Sequence, residues 1–190
     1  MKQNFFTSKH ISEFSCIGSQ CEDNCCNTNW TVFINKEKYE LYRKMDEKND
    51  SNLLQSIEKN VEATNEENYA ILKFNTAGAC SFLTEEKLCS IHLEHGSSAL
   101  CNTCRYYPRV TQTVHHTYYE TGYLSCPEMA RLVLLSTIPF EWTTSVDRDS
   151  QDALVVPYNS PSNLNYVKKV HTYITHLLSQ REIHYQNVFG

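Results

Sequence analysis

Nine cysteines, Cys16, Cys21, Cys25, Cys26, Cys80, Cys89, Cys101, Cys104 and Cys126, carry the clearest chemistry in this chain of 190 residues. The first four are spaced Cys16-x4-Cys21-x3-Cys25-Cys26, and after a long gap the next four run Cys80-x8-Cys89-x11-Cys101-x2-Cys104. Thiolates are the soft ligands taken by zinc and by iron–sulfur clusters. Short spacings let one loop deliver several sulfurs to the same centre, so the two groups are expected to converge. A free cysteine is also among the most buried residue types, which accounts for one or two of the nine but not for the set.

Disulfides are the competing use of so many thiols. The opening residues, MKQNFFTSKHISEF, lack the basic start, apolar stretch and small-residue cleavage site of a secretory signal. The expected location is therefore the cytoplasm, where thiols stay reduced. The odd count also leaves one thiol over in any fully paired framework. The longest apolar run, Leu132-Val133-Leu134-Leu135, is far below the roughly 18 residues that cross a bilayer, so no membrane span is expected. A formal charge of −5 argues against a nucleic-acid partner, because phosphate neutralisation draws on clustered Lys and Arg. With 41% hydrophobic and 21% charged residues, the composition is that of a folded globular chain.

The choice between zinc and iron–sulfur stays open on ligand count alone. One zinc takes four ligands, so eight or nine thiols imply two zincs, or one cluster with thiols to spare. Neighbouring residues such as Cys25 and Cys26 rarely send both sulfurs to one ion without strain, which favours a multi-iron cluster or two adjacent centres. His92 and His95 lie between Cys89 and Cys101, where they are candidates for a mixed zinc site. His115, His116, His171 and His176 read as surface or packing residues.

The elements that must position these thiols follow from local pattern. Phe14 to Trp30 is rich in turn formers and reads as a loop whose shape the metal dictates. Trp30 to Ile34 reads as a short strand, and Asn35 then caps a helix through Tyr39, Tyr42 and Met45. Tyr39 and Tyr42 are expected to pack onto the cluster loop. Asp50 or Ser51 caps a second expected helix, with Leu53, Leu54, Ile57 and Val61 at helical spacing. Tyr69 to Phe74 reads as a strand that leads to Cys80. The run from Ser97 reads as a helix ending before Pro108, with Cys101 and Cys104 one turn apart, and Arg105 and Arg109 beside them as compensating cations. Val110 to Leu124 predicts a hairpin broken at His115-His116-Thr117. Ser125 and Glu128 form a capping box for a helix at whose start Cys126 sits, as a ligand or a reactive thiol. Thr143 to Ser162 is linker-like, and Ser162 caps a last helix striped by Leu164, Val167, Ile174, Leu177 and Leu178.

These elements predict an α+β fold, mainly helical, with a loop-rich cysteine-ligated metal centre and a few short strands. The expected organisation is a cysteine-cluster domain over 1–142, a linker over 143–162 and a C-terminal helix over 163–190.

Four ordered segments, FSCIGSQCEDNCCNTNW, ACSFLTEEKLCSIHLEHG, LCNTCRYYPR and LSCPEMARLVLL, resemble those of the flagellin lysine-N-methylase family. That family lies within a wider group of zinc- or iron-chelating proteins with a CxxCxxCC-type cluster. The resemblance runs from about Phe14 to Leu135. It implies an iron–sulfur cluster of the 4Fe-4S type, S-adenosylmethionine as methyl donor, flagellin as protein substrate and lysine N-methylation as the activity. The candidate metal ligands, read from type and spacing, are all nine cysteines. The family's chains are longer, so the resemblance leaves open a truncated form that holds metal without activity. Methyl transfer itself is not visible in the residues: five glycines, at 18, 78, 96, 122 and 190, form no Gly-rich strand-to-helix turn of the doubly wound methyltransferases. Two other functions remain in play, a non-catalytic zinc- or iron-chelating module and a thiol-based metal or redox protein.

Overall fold

In a computed structural model the chain is described over residues 4–27, 30–49, 52–114, 117–137, 139–145, 155–157 and 164–180. The Asp50–Ser51 cap, the His115–His116 turn, Pro161 and the Ser162 cap lie outside the described residues. In chain order the elements are β1 (Asn4–Ser8), α1 (Lys9–Glu13), β2 (Phe33–Ile34), α2 (Lys36–Asn49), β3 (Ile57–Lys59), β4 (Ala70–Leu72) and α3 (Ser90–His95). There follow α4 (Asn102–Tyr106), β5 (Arg109–Val114), β6 (Thr117–Gly122), α5 (Pro127–Leu135), β7 (Trp142–Ser145), β8 (Val155–Pro157) and α6 (Leu164–Ser179). They divide into two compact units: one is the unbroken stretch Cys16–Tyr107, the other joins Met1–Ser15 to Pro108–Gly190. Among the described residues no helix is long and apolar enough to cross a membrane.

The second of these units is built on a five-stranded sheet of order β7-β1-β6-β5-β8. β5 and β6 form the expected hairpin, with Val114 opposite Thr117. β1 runs parallel to β6 and antiparallel to β7, while β8 runs parallel to β5. This mixed sheet is not a doubly wound nucleotide-binding sheet, in keeping with the missing Gly-rich turn. Alternate side chains leave opposite faces of a strand, and ring stacking secures both. Phe5 stacks on Tyr118 at 4.5 Å on one face, and Phe6 on Tyr119 at 5.4 Å on the other. α6 covers the Phe6 face: His171 meets the rings of Tyr119 and Trp142 at 4.7 and 5.7 Å, and Trp142 Nε1 donates to Thr175 Oγ1 at 3.4 Å. Burial lowers the His171 pKa and favours its neutral ring. On the other face fully buried Met129 of α5 lies against Gly122, and the buried Glu120 carboxylate accepts from Thr7 Oγ1 at 3.2 Å.

The expectation of a mainly helical chain is overturned, since among the described residues eight strands in two sheets accompany six α-helices and the architecture is mixed. The opening NFFTS, the stretch WTTS and the short VVP form β1, β7 and β8, so part of the linker-like segment lies in the sheet. Partners supplied from distant chain positions override the weak local signal of such runs.

The Cys16–Tyr107 unit has a three-stranded sheet of order β2-β4-β3 beside α2. Asn35 caps α2 as expected, its Oδ1 accepting from Lys38 N at 3.0 Å. The second expected helix is absent: Leu53–Ser56 is a single 3-10 turn and Ile57 opens β3, opposite Leu72. Asn52 is left-handed at φ 56°, and the Asp46 carboxylate takes the N–H groups of Leu53 and Leu54 at 2.7 and 2.8 Å. Val61, the fourth member of the supposed apolar stripe, is 97% exposed. The helix expected from Ser97 is also divided, into a 3-10 turn at Ser97–Ala99 and α4, with Cys101 as the N-cap of α4. In the sheet unit Cys126, one residue after the expected Ser125, occupies the N-cap of α5, and Glu128 pairs with Arg131 at 2.9 Å.

Candidate metal centre

Two loops and α4 gather the thiols. The first loop is pinned by Asn24, whose Oδ1 accepts from Cys26 N at 2.8 Å while its Nδ2 donates to Lys87 O at 2.9 Å. Cys80 N then donates to Cys26 O at 2.7 Å, which ties the first cysteine group to the second through the backbone. Bridges Phe74–Cys80 and Leu83–Cys89 shape the loop between Cys80 and Cys89. Cys89 ends that loop as the N-cap of α3.

The sulfurs meet where the backbone brings them. Cys26 shares hydrogen bonds with both Cys25 and Cys80; these bonds pull Cys25 and Cys80 down to about 7 and push Cys26 up. Cys101 and Cys104 form a second hydrogen-bonded pair that lowers Cys101 and raises Cys104, the latter also by burial. Burial raises Cys89 first, and the charges of Cys80 and Cys101 add to it. Cys80 acts electrostatically on Cys89, Cys101 and Cys104 and itself feels Cys25. Cys25, Cys26, Cys80, Cys89, Cys101 and Cys104 thus share one neighbourhood, which is where the two groups were expected to converge.

The other three cysteines stand differently. Cys16 is exposed, its Sγ accepting from Gly18 N at 3.4 Å, and half-buried Cys21 donates to Asp23 O at 3.3 Å. Cys126 is buried in the sheet unit. His92 is exposed on α3 and gives Cys89 a backbone N–H. The His95 Nε2 is buried without a hydrogen bond, 3.8 Å from the Glu94 carboxylate. His171 packs on the sheet and His176 is exposed beside Gln180, as expected of packing and surface residues.

The donor set fits a soft metal in kind and number, because six thiols exceed the four of a tetrahedral zinc or a cubane cluster. Their geometry is gathered but not closed: among the described residues no three His, Cys, Asp or Glu groups stand ready to hold one ion. Ligation would replace the thiol–thiol hydrogen bonds and release their protons.

No family model matches the chain, and no solved structure matches it. Over 135 residues, 65% of its length, it is 27% identical to a protein of Salmonella muenchen named flagellar biosynthetic protein FliU, of which the match covers 73%. It is 27% identical over the same length to proteins of Salmonella typhimurium and Salmonella choleraesuis named lysine-N-methylase. The chain is related to the lysine-N-methylases. The match spans 31% of the length of those methylases, so it concerns one part of them.

Two features of the site were not legible as such. Arg109, expected beside the thiols, belongs to the sheet unit, where its guanidinium lies 5.0 Å from the Phe14 ring centroid and donates to Phe14 O at 3.4 Å. Arg105 sits over the Tyr106 ring at 5.5 Å. The buried cation of the cysteine unit is instead Lys38, 9% exposed, whose Nζ donates to Ser98 O at 2.7 Å. Tyr42 is buried too: burial first, then the Cys101, Cys104 and Cys89 thiols, push its pKa up and keep the phenol protonated. It borders the thiols of the second cysteine group, and Tyr39 stacks edgewise on Tyr69 at 5.1 Å. The signal that would have found Lys38 is its spacing from Tyr42 and Asp46 on one face of α2. A cavity of about 400 Å³ lined by Lys36, Lys59, Asn60, Thr64, Glu66 and Tyr69 contains none of the cysteines.

Proposed function

We propose that this chain holds a thiolate-ligated metal centre, iron–sulfur of the 4Fe-4S type, and serves an S-adenosylmethionine-dependent lysine N-methylation of flagellin in the cytoplasm. The meeting of Cys25, Cys26, Cys80, Cys89, Cys101 and Cys104 carries the reading. The relatives named lysine-N-methylase and flagellar biosynthetic protein support the activity and the substrate. Cys25, Cys80, Cys101 and Cys104 are the ligands proposed from this geometry, with Cys26 and Cys89 able to substitute. Were three of these thiols to hold the cluster, the iron left without a thiolate would supply a Lewis-acidic site suited to the amino and carboxylate groups of a donor. The chain's own part is to surrender thiol protons to the solvent, to exclude water around Tyr42 and Cys101, and to hold the two loops together through Cys80 N and Asn24. A methyl acceptor must reach the site as a neutral amine, its proton passing to a base beforehand.

A second reading, a metal-chelating module without transfer chemistry of its own, is favoured by the cavity that lies apart from the thiols. Anaerobic purification with elemental analysis and donor calorimetry separates them. Brown, iron- and sulfide-bearing protein that binds donor supports the methylase, and colourless zinc protein that binds none supports the module. Protein free of both metals after anaerobic reconstitution sinks each.

A further inference from the structure

We propose that Lys38 and Tyr42 of α2 are positioning residues for the thiolate centre, Lys38 as its buried counter-charge and Tyr42 as the anchor of the turn that presents Cys101. This rests on the metal-centre reading above. The two side chains lie four residues apart and so share one helix face. They reach consecutive carbonyls: Lys38 Nζ donates to Ser98 O at 2.7 Å and Tyr42 OH to Ala99 O at 2.8 Å. Ser98 and Ala99 form the 3-10 turn Ser97–Ala99, which leads through Leu100 into Cys101 at the N-cap of α4. So short a turn has few backbone bonds of its own, so these two donors set where it rests.

Charge supplies the second strand of argument. Lys38 is 9% exposed, and the hydrogen-bond partner of its Nζ is a neutral carbonyl. A buried cation is costly unless an anion answers it. Four thiolates around one zinc leave two negative charges over, and a cubane cluster on four thiolates is anionic as well. Tyr42, one helical turn along from Lys38, already borders Cys101, Cys104 and Cys89. Lys38 shares that helix face, and metal-bound thiolates would give it the anion that its carbonyl partner does not.

The test compares full-length wild type with Lys38→Met, Lys38→Arg, Tyr42→Phe and Asp46→Asn, each reconstituted anaerobically with iron and sulfide and, separately, with zinc. Metal release is titrated with a chelator, the reduction potential of any iron centre is measured, and circular dichroism reports folding. Lys38→Met and Tyr42→Phe are expected to release metal at about tenfold lower chelator, ~1.4 kcal/mol. Lys38→Met should also lower the reduction potential of an iron centre, because the reduced, more negative state loses its cation. Lys38→Arg should restore both. Asp46→Asn loosens the grip of the same helix on Leu53 and Leu54, not on the cysteine turn, and should lower the melting temperature while leaving chelator release unchanged. Release by Lys38→Met and Tyr42→Phe at wild-type chelator overturns the inference while leaving the centre intact. Release by Asp46→Asn as easily as by those two overturns it as well, since the effect is then general to α2. A wild type that takes up neither metal overturns the centre itself and the inference with it.

Discussion

The two units reach order by different means. In the sheet unit β1, β5 and β6 run five or six residues each, their ladders reinforced by stacked rings. In the cysteine unit the strands are two or three residues long, α3 and α4 have six and five, and thiols occupy part of the core. Side chains there do what ladders do elsewhere. Asn75 Oδ1 accepts from Ala77 N and Ala79 N, Asn65 Oδ1 from Glu67 N and Asn68 N, and Asp46 from Leu53 N and Leu54 N. Such bonds contribute only about 1 kcal/mol each, so a unit built from them gains most from a bound metal, whose affinity is folding energy.

Metal removal is the largest test of that contrast. A chelator should strip amide-exchange protection from 16–107, with a loss on the order of 10 kcal/mol of binding free energy, and leave β1, β5 and β6 protected. Equal loss in both units would erase the distinction. Next come Cys101→Ser and Cys104→Ser, each expected to lose most bound metal by elemental analysis, whereas His176→Ala, exposed on α6, should lose none. Full metal in both serine variants would remove α4 from the centre.

Gly122→Ala should act on the sheet unit alone. A Cβ there would stand 2.6 Å from Met129 Cγ and Sδ, and Met129 is fully buried. Overpacking of this kind costs about 1–3 kcal/mol, seen as a lower melting temperature at unchanged metal content. Cys126→Ala is expected to be mildest, about 1 kcal/mol of stability with full metal, because Cys126 stands at the N-cap position of α5 but its thiol makes no cap bond. Loss of metal in that variant would extend the centre beyond Cys16–Tyr107.

What the sequence revealed was local in origin. Asn35 was legible as a cap because its partner, Lys38 N, is three residues away, and the β5–β6 hairpin because its strands are adjacent. The cysteines were legible by type and spacing. Leu53, Leu54, Ile57 and Val61 fitted a helical period, but Asp46 and Leu72, neither visible in that window, claimed the segment for a turn and a strand. β1 and β7 were illegible because β1 is completed by β6 and β7, and β7 by β1, all far along the chain from their partners. The assignment of Cys126 and Arg109 to the sheet unit, and of Lys38 to the cysteine unit's interior, likewise depends on contacts that no local pattern records.

The position of β1 bears on the order in which the protein is made. Thr7 bonds to Glu120, 113 residues later, and Phe5 also lies opposite Ser145 of β7. On the ribosome the amino terminus emerges first and its sheet partners long afterwards, while Cys16–Tyr107 is complete as soon as Tyr107 has cleared the exit tunnel. The thiol-bearing stretch is thus free to meet metal during synthesis, before the strand ahead of it has anything to pair with. β1 pairs with β6 and β7, so the five-stranded sheet closes over long sequence separations, the contacts that carry the larger loop-closure cost.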